Sequence, residues 1–430
     1  MGFKLVVLFV FSVFLLSSGD TLKIASVNAS SLVSILMVAV FLFNGLLGRR
    51  FVLKSHPLQL PLALLFSWAL ISLLITGIVP SNAIPSEAYS YAWTTGLNHP
   101  DFRGLSFLLR LILVIFAIEF IVSNVGTKKK YFTVVNVTIM LYFIVCLLGF
   151  LQVVMLKVFN VGFGNITVIS ETEGYFRIGG YVGEPQTFGL ILLSGFFPVY
   201  ALIKTGSDKS WFSKRFLGII LFLAVVDLLF TFSVSMMIAM LVAFLIVRRQ
   251  FYRKKSLLIP LISISILFFL FYTAINVMVV TKLVSELSSV NARTLTLIIG
   301  YSMFADNPLS GVGIGQSPLL AEQVSGTINQ DFWVLSFDKS RVPVLNSYIE
   351  WLAETGAVGL LILAWIAYRL YKLAKGGGCS GDCTFVRMGY GGSILALAIA
   401  ANSSSGNFYT GGFALSLAMY VAGMKIFKAD

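Results

Sequence analysis

The sequence predicts an all-α polytopic membrane protein with about twelve transmembrane helices. Three observations lead to this prediction. Hydrophobic residues make up 58% of the 430 residues and charged residues only 11%, a composition outside the range of soluble proteins. Apolar runs long enough to cross a bilayer recur along the whole chain. Basic residues collect in every second loop between these runs, as they do in membrane proteins with a fixed orientation.

The apolar runs divide the chain into its predicted spans. They cover residues 3–17, 29–47, 58–79, 104–126, 132–156, 187–203, 216–232, 235–247, 256–281, 357–374, 386–402 and 409–427. A run of about twenty residues crosses the hydrocarbon core, so the shorter runs need support from neighbouring helices. The first run follows Lys4 and ends at Ser17, and it also fits a cleaved signal peptide; both interpretations give the later spans the same orientation. We treat residues 1–430 as a single membrane domain.

The charge distribution predicts the orientation and excludes one class of partner. The net charge is +13, which by itself is compatible with a protein that binds nucleic acid. The basic residues, however, gather in one set of alternate loops, including residues 128–130 and 248–255, whereas most acidic residues lie in the other set. The positive-inside rule therefore places both termini in the cytoplasm. The basic excess orients the chain and contacts anionic lipid, and we expect no nucleic-acid partner.

The first of two informative outer loops covers residues 157–186. It contains RIGGYVGEPQ, in which Arg177 and Glu184 flank three glycines and Pro185 begins a span. Free N–H groups at the start of the following helix favour an anion, and an arginine beside them fits a pyrophosphate group. The alternative is an ordinary re-entry turn with an interfacial arginine.

The second outer loop, residues 283–356, is the longest segment that is not a plain apolar run. Arg293 opens a predicted amphipathic helix, with apolar residues on one face at Leu295, Ile298, Ile299 and Met303. The sequence Asp306-Asn307-Pro308 ends this helix, and glycines follow at positions 311, 313 and 315. Their backbone N–H groups form either a cradle for phosphate or simply a tight turn.

Three segments resemble signature regions of the bacterial O-antigen ligase and O-antigen polymerase superfamily. The first begins at Arg293 and includes DNPLSGVGIG and NSYIEWLAETGAVGLL; the second is RIGGYVGEPQTFGLILL, and the third is TFSVSMMIAMLVAFLIV. Together they cover the C-terminal two thirds of the chain. Two positions depart from the superfamily pattern. Leu345 stands where ligases carry a histidine before Asn-x-Tyr, and Val234 stands where an arginine is common.

The resemblance implies a GT-C-like fold in the bacterial inner membrane, with a large periplasmic loop that carries amphipathic helices. It implies a glycosyltransferase that uses undecaprenyl-diphosphate-linked oligosaccharides, with membrane lipids and a chain-length regulator protein as further partners. Leu345 favours an O-antigen polymerase of lipopolysaccharide biosynthesis. The alternative is an O-antigen ligase that transfers the glycan to an acceptor such as lipid A-core. A polysaccharide transporter or flippase is a second alternative, disfavoured because few charged residues lie within the spans.

The candidate site combines arginines with one carboxylate. Arg177 and Arg293 match the superfamily's arginine positions, and we expect them to bind the diphosphate because a guanidinium contacts paired oxygens and stays charged. Glu184 either orients Arg177 or accepts the proton of the acceptor hydroxyl. Four further residues are candidates for substrate binding: Arg341, Asn346, Tyr348 and Arg110, the last of which either lines a cationic cavity or snorkels outward. The chain has no Asp-x-Asp motif, so we expect no metal ion and no other cofactor.

Overall fold

The fold is a bundle of helices with one short hairpin, as seen in a computed structural model. The structure describes residues 2–15, 29–46, 55–77, 100–159, 161, 166–170, 175–180, 182, 184–206, 210–251, 294–327, 344–375, 381–404, 408 and 410–428. The first eight helices are α1 (Gly2–Leu15), α2 (Ala29–Leu46), α3 (Gln59–Thr76), α4 (Pro100–Asn124), α5 (Lys128–Phe159), α6 (Pro185–Thr205), α7 (Lys214–Phe230) and α8 (Val234–Phe251). The later ones are α9 (Thr294–Asp306), α10 (Ser317–Thr327), α11 (Ser347–Lys375), α12 (Gly381–Ser403) and α13 (Gly411–Lys428).

The prediction of an all-α polytopic membrane protein is confirmed. Six helices in the described residues are long and apolar enough to cross a membrane: α3, α4, α5, α6, α11 and α12. The remaining predicted spans coincide with α1, α2, α7, α8 and α13, except the one at residues 256–281, which lies outside the described residues. The one departure from an all-helical chain in the described residues is a hairpin, in which β1 (Ile166–Ser170) pairs antiparallel with β2 (Tyr175–Ile178).

Helix α6 is the central helix of the bundle, because it is buried along most of its length. It packs against α5, α7, α8, α12 and α13. Its ends are set by local sequence. Glu184 caps the first turn, Pro185 occupies the first helical position, and Gly206 ends the helix in the left-handed conformation (φ 61°), which glycine adopts at little cost.

Contacts between distant parts of the sequence sort the loops into two ends of the bundle. At one end, the Lys425 ammonium donates to the Ser55 carbonyl oxygen at 3.0 Å, and His56 Nε2 lies 2.8 Å from Glu119 Oε1. At the other end, residues 177, 186, 315 and 346 each bond to a distant segment. We call this second end the loop end. The grouping is the one that the alternating charge pattern predicts, and the assignment of each end to a compartment rests on that pattern.

Helix α11 is broken close to the predicted start of its span. Gly356 has φ 66° and ψ −169°, which no helix contains, so a short segment, Ser347–Thr355, precedes the long apolar part. The predicted outer loop ends at residue 356, and the break falls at the same residue. The short segment therefore belongs to the loop end, and it carries the residues between the Asn-x-Tyr motif and the span.

Candidate functional site

Arg177 is anchored to the start of the turn between α7 and α8. It lies on β2 opposite Thr167, and its Nε donates to the Thr231 carbonyl oxygen at 2.7 Å. Thr231 follows the last residue of α7, whose final carbonyl groups lack helical partners and so accept bonds from outside the helix. The contact is to the backbone and not to Asp227, one turn earlier, whose buried carboxylate has no hydrogen-bond partner among the described residues. The guanidinium is thus held by a fixed point at the loop end.

Glu184 occupies the N-cap of α6 and is exposed to solvent. Its Oε2 accepts a bond from the Thr187 backbone N–H at 3.3 Å and another from the Thr187 hydroxyl. These bonds satisfy an N–H group that the helix itself leaves free. The carboxylate therefore has a capping role that the sequence did not assign to it, while its exposure leaves it accessible to a substrate.

The turn at residues 402–404 joins α6 to the start of α11. Gln186 Nε2 donates to the Ser403 carbonyl oxygen at 2.6 Å. Asn346 Nδ2 donates to the Asn402 carbonyl oxygen at 3.0 Å, and the Ser347 hydroxyl donates to the Ser404 carbonyl oxygen at 2.6 Å. The glutamate that caps α6 and the Asn-x-Tyr motif are more than 150 residues apart in the sequence, yet this turn brings their segments side by side.

Asn346 and Tyr348 are both engaged by the protein itself. Asn346 Oδ1 accepts from the backbone N–H groups of Tyr348 and Ile349, at 3.0 and 3.1 Å, and so caps α11. The Tyr348 hydroxyl donates to the Ala398 carbonyl oxygen at 2.8 Å, and its ring packs edge-on against Phe408. The phenol oxygen keeps its acceptor capacity, so it can still receive a bond from a sugar hydroxyl.

Helix α9 begins next to Leu345. The Leu345 backbone N–H donates to the Thr296 hydroxyl at 3.3 Å. Arg293 is the residue before α9, and it lies outside the described residues, as does Arg341. The described contacts nonetheless place the first turn of α9 beside the position where ligases carry histidine. Three of the four residues of the predicted amphipathic face, Leu295, Ile299 and Met303, are buried, whereas Ile298 is half-buried.

A second polar group lies where α4 meets the loop after α9. Arg103 is buried, and its Nε donates to the Gly315 carbonyl oxygen at 2.9 Å. The guanidinium groups of Arg103 and Arg110 lie 5.2 and 5.0 Å from the centre of the Phe107 ring, within the range of a cation–π contact. Arg110 is half-buried, and it stacks on the same Phe107 ring as Arg103.

Glu354 fills the backbone cradle that the glycine-rich loop forms. Its Oε1 accepts from the Ser317 hydroxyl at 2.7 Å and from the Ser317 backbone N–H at 3.4 Å, and the carboxylate also accepts from the Gly315 N–H. Successive backbone N–H groups of this kind bind an anion. The anion is the protein's own carboxylate, so the cradle is a tight structural turn in this structure and not an open phosphate site.

Residues 308–313 run alongside residues 353–357, an arrangement that we call the backbone crossing. Val312 N–H donates to the Ala353 carbonyl oxygen at 2.8 Å, Gly313 N–H to that of Glu354 at 3.0 Å, and Ala357 N–H to that of Pro308 at 2.9 Å. The Ser72 hydroxyl lies within bonding distance of two carbonyl oxygens of the crossing, those of Ser310 and Glu354. The crossing thereby fixes the two described segments of the second outer loop to each other and to α3.

Residues 219–364 match a family model described as O-antigen ligase. The match covers about a third of the chain and supports the resemblance to the O-antigen polymerase and ligase superfamily. The matched segment runs from α7 to α11 and contains Thr231, α9, the glycine-rich loop and the backbone crossing. Arg177 and Glu184 precede the matched segment, and the structure brings them to it through Thr231 and the 402–404 turn. No curated protein matches the chain.

The family domain contains charged residues that sequence reasoning missed. Glu350 and Glu354 are buried one turn apart on α11, and the charge of each acts on the buried Arg103. Two signals were present in the sequence. Glu350 and Glu354 are spaced by four residues and Arg103 and Arg110 by seven, so each pair lies on one helix face, and both pairs interrupt apolar stretches. Buried charges of this kind are retained only when they are paired.

The arrangement offers cations and hydrogen-bond acceptors but no imidazole at the loop end of the described structure. His56 is the one histidine among the described residues, and it lies beside Glu119 at the end of the bundle opposite the loop end. His99 lies outside the described residues. Within the part of the chain that the structure describes, no three of the residues His, Cys, Asp and Glu cluster as metal ligands do. The independence from metal ions remains a prediction from the sequence.

Proposed function

We propose that the protein is a glycosyltransferase that polymerises undecaprenyl-diphosphate-linked oligosaccharide repeat units at the periplasmic face of the bacterial inner membrane. In this reaction, a hydroxyl of one repeat unit attacks the anomeric carbon of the sugar on a second lipid. A new glycosidic bond forms, the bond from that carbon to the phosphate oxygen breaks, and the lipid diphosphate leaves. The hydroxyl proton passes to a base.

The leaving diphosphate is the group whose charge most needs to be stabilised by the protein. Its charge grows as the bond breaks, and fixed cations in a poorly solvated site stabilise it. Arg177 is held at the loop end by the Thr231 carbonyl oxygen, and Arg293 directly precedes the helix that begins beside Leu345. We propose that these two arginines bind the diphosphate, with Arg341 and Arg110 contributing further positive charge.

The position before Asn346 is the observation that favours the polymerase over the ligase. Leu345 is apolar, and its backbone N–H is bonded to Thr296. A leucine side chain neither accepts nor donates a proton, so the proton transfer that a histidine would perform here is assigned to another group. Glu184 is our candidate, because it is exposed and its segment is bridged to Asn346 by the 402–404 turn. Asn346 and Tyr348 support the sugar from the same short helical segment.

The ligase is the second candidate, because the matching family model is described as O-antigen ligase. A gene deletion separates the two. Loss of the glycan ladder on a gel, with a single repeat unit still attached to its acceptor, indicates a polymerase. Loss of all glycan from the acceptor indicates a ligase.

Purified protein gives the decisive test. It is incubated in vesicles with lipid-linked repeat units and no other acceptor. Gly218→Ala is a control variant that should behave like the unmodified protein, because no atom lies within 4 Å of the added methyl group. We expect donor lipids that carry two or more repeat units. A protein that leaves the donor unchanged until lipid A-core is added would be a ligase.

A further inference from the structure

We propose that Glu354 is a positioning residue, which holds α9, the helix that directly follows Arg293 in the sequence, in place by filling the cradle of the glycine-rich loop. The proposal rests on the proposed function for its effect on activity, but its structural half stands alone. The hydrogen bonds that the Glu354 carboxylate accepts come from Gly315 and Ser317. The residue therefore acts on the site through the segments that it joins.

The Glu354 carboxylate is buried and compensated by its surroundings. Glu354 is 2% exposed, and a buried carboxylate is costly unless hydrogen bonds and an opposite charge compensate it. The Gly315 N–H and the Ser317 N–H and hydroxyl donate to it. Arg103 supplies the opposite charge and is tied to the same loop through the Gly315 carbonyl oxygen. The loop, α4 and the short segment of α11 therefore form one unit around this side chain.

The glycine-rich loop connects Glu354 to α9. Asp306, the last residue of α9, is separated from the backbone crossing by Asn307 alone. Residues of the helix, the loop and α11 share one small apolar cluster, which includes Met303, Val312 and Ala353. A methyl group on Gly300 would lie 2.6 Å from Ile349 Cγ2, so the helix backbone is in close contact with α11. A shift of the loop relative to α11 therefore moves α9 along its whole length.

A positioning role and a purely stabilising role of Glu354 have different consequences for the folded protein. If Glu354 only stabilised the fold, its replacement would lower the amount of folded protein and leave the geometry of the folded fraction unchanged. If it positions α9, the folded fraction itself has α9 displaced from α11. A distance-sensitive reaction between the two helices distinguishes these cases, because its rate in folded protein depends on their separation.

The experiment uses the double variant Gly300→Cys/Ile349→Cys in the full chain, purified in detergent as a monodisperse peak. Disulfide formation under mild oxidation is measured as the loss of two maleimide-reactive thiols beyond those of the three native cysteines. We expect Glu354→Gln to slow this reaction about tenfold. Glu350→Gln, which removes an equally buried carboxylate one turn away, should stay within about twofold of the parent because it leaves the loop cradle filled.

A second variant keeps the test decisive if Glu354→Gln does not fold. Ser317→Ala removes one hydroxyl donor from the carboxylate and leaves the charge pair intact, and we expect it to slow disulfide formation about threefold. Disulfide formation at the parent rate in folded Glu354→Gln, or in folded Ser317→Ala when the first variant does not fold, would overturn the proposal.

The polymerisation rate of the same variant tests whether the position of α9 affects the reaction. Glu354→Gln should lower the rate of repeat-unit polymerisation about tenfold, and closing the 300–349 disulfide in that variant should restore most of it. Turnover is expressed per amount of folded protein, because a disulfide also stabilises a fold; a variant that is merely less stable would then show no loss of turnover to recover. If the unmodified protein elongates no donor lipid, the proposed function fails, while the disulfide rates still decide whether Glu354 positions α9.

Discussion

Replacing Gly356 by alanine is predicted to destabilise the protein strongly, because the added methyl group meets backbone on the opposite segment. Gly356 has φ 66°, and a Cβ atom there would lie 2.8 Å from the Ser310 backbone nitrogen and closer still to the Leu309 carbonyl group. These contacts are to backbone, so no side chain can rotate away. The two segments of the backbone crossing must separate to admit the methyl group.

The cost has two parts. Gly356 combines φ 66° with ψ −169°, a backbone region almost confined to glycine, and holding an alanine there costs about 1–3 kcal/mol. Separation of the crossing weakens its three backbone hydrogen bonds, each of which contributes about 1 kcal/mol net. The sum is about 4–6 kcal/mol, which is a large share of the roughly 5–15 kcal/mol that stabilises a typical fold.

Two other glycines provide matched controls. Gly77 shares this conformation, with φ 74° and ψ −178°, but no atom lies within 4 Å of an added Cβ, so Gly77→Ala reports the conformational cost alone, about 1–3 kcal/mol. Gly218 lies inside α7 with the same open space, and Gly218→Ala should stabilise the helix by about 0.5–1 kcal/mol.

The assay is unfolding of the purified variants in detergent, followed by tryptophan fluorescence during titration with a denaturing detergent. The expected order of stability is Gly218→Ala, unmodified protein, Gly77→Ala and then Gly356→Ala. If Gly356→Ala is as stable as Gly77→Ala, the two backbones do not approach each other as described, and the argument for the crossing fails.

Four further predictions concern the site and the topology. Arg177→Lys and Arg293→Lys should each lower polymerisation about tenfold or more at normal expression, because lysine keeps the charge but loses the paired donors; normal activity in both would place the diphosphate elsewhere. Glu184→Ser should keep the helix cap, with unfolding changed by less than about 0.5 kcal/mol, yet lose about a hundredfold in turnover if the carboxylate is the base; full turnover would exclude that role. A chelator should leave polymerisation unchanged, whereas loss of activity that magnesium restores would show a metal requirement. A cysteine placed at Ser325 should react with an impermeant maleimide without permeabilisation of the inner membrane, and protection there would reverse the assigned topology.

The amino-acid sequence was sufficient to locate the described helices that coincide with predicted spans, as well as α9, whereas α10 and the β1–β2 hairpin were not predicted. The runs of apolar residues located the spans because crossing a bilayer is a local requirement, met by about twenty consecutive residues. The start of α6 followed from Pro185 and the end of α9 from Asp306-Asn307-Pro308, since a helix end depends on the few residues around it. The break in α11 at Gly356 fell where the outer loop was predicted to end. The alternating charges predicted which loops share an end of the bundle, and the contacts agree.

The pairing of the loop residues, in contrast, became visible only in three dimensions. The glycine-rich loop had the pattern of a phosphate cradle, but Glu354 occupies it. Arg103, which lies more than 200 residues earlier in the sequence, donates to the Gly315 carbonyl oxygen of the same loop. The bridge from Gln186 to Asn346 runs through the backbone of residues 402–404, which carried no distinctive side-chain signal. These contacts depend on how each helix is rotated about its axis and which neighbour it meets. That choice is made by packing over the whole bundle, and no short window of sequence contains it.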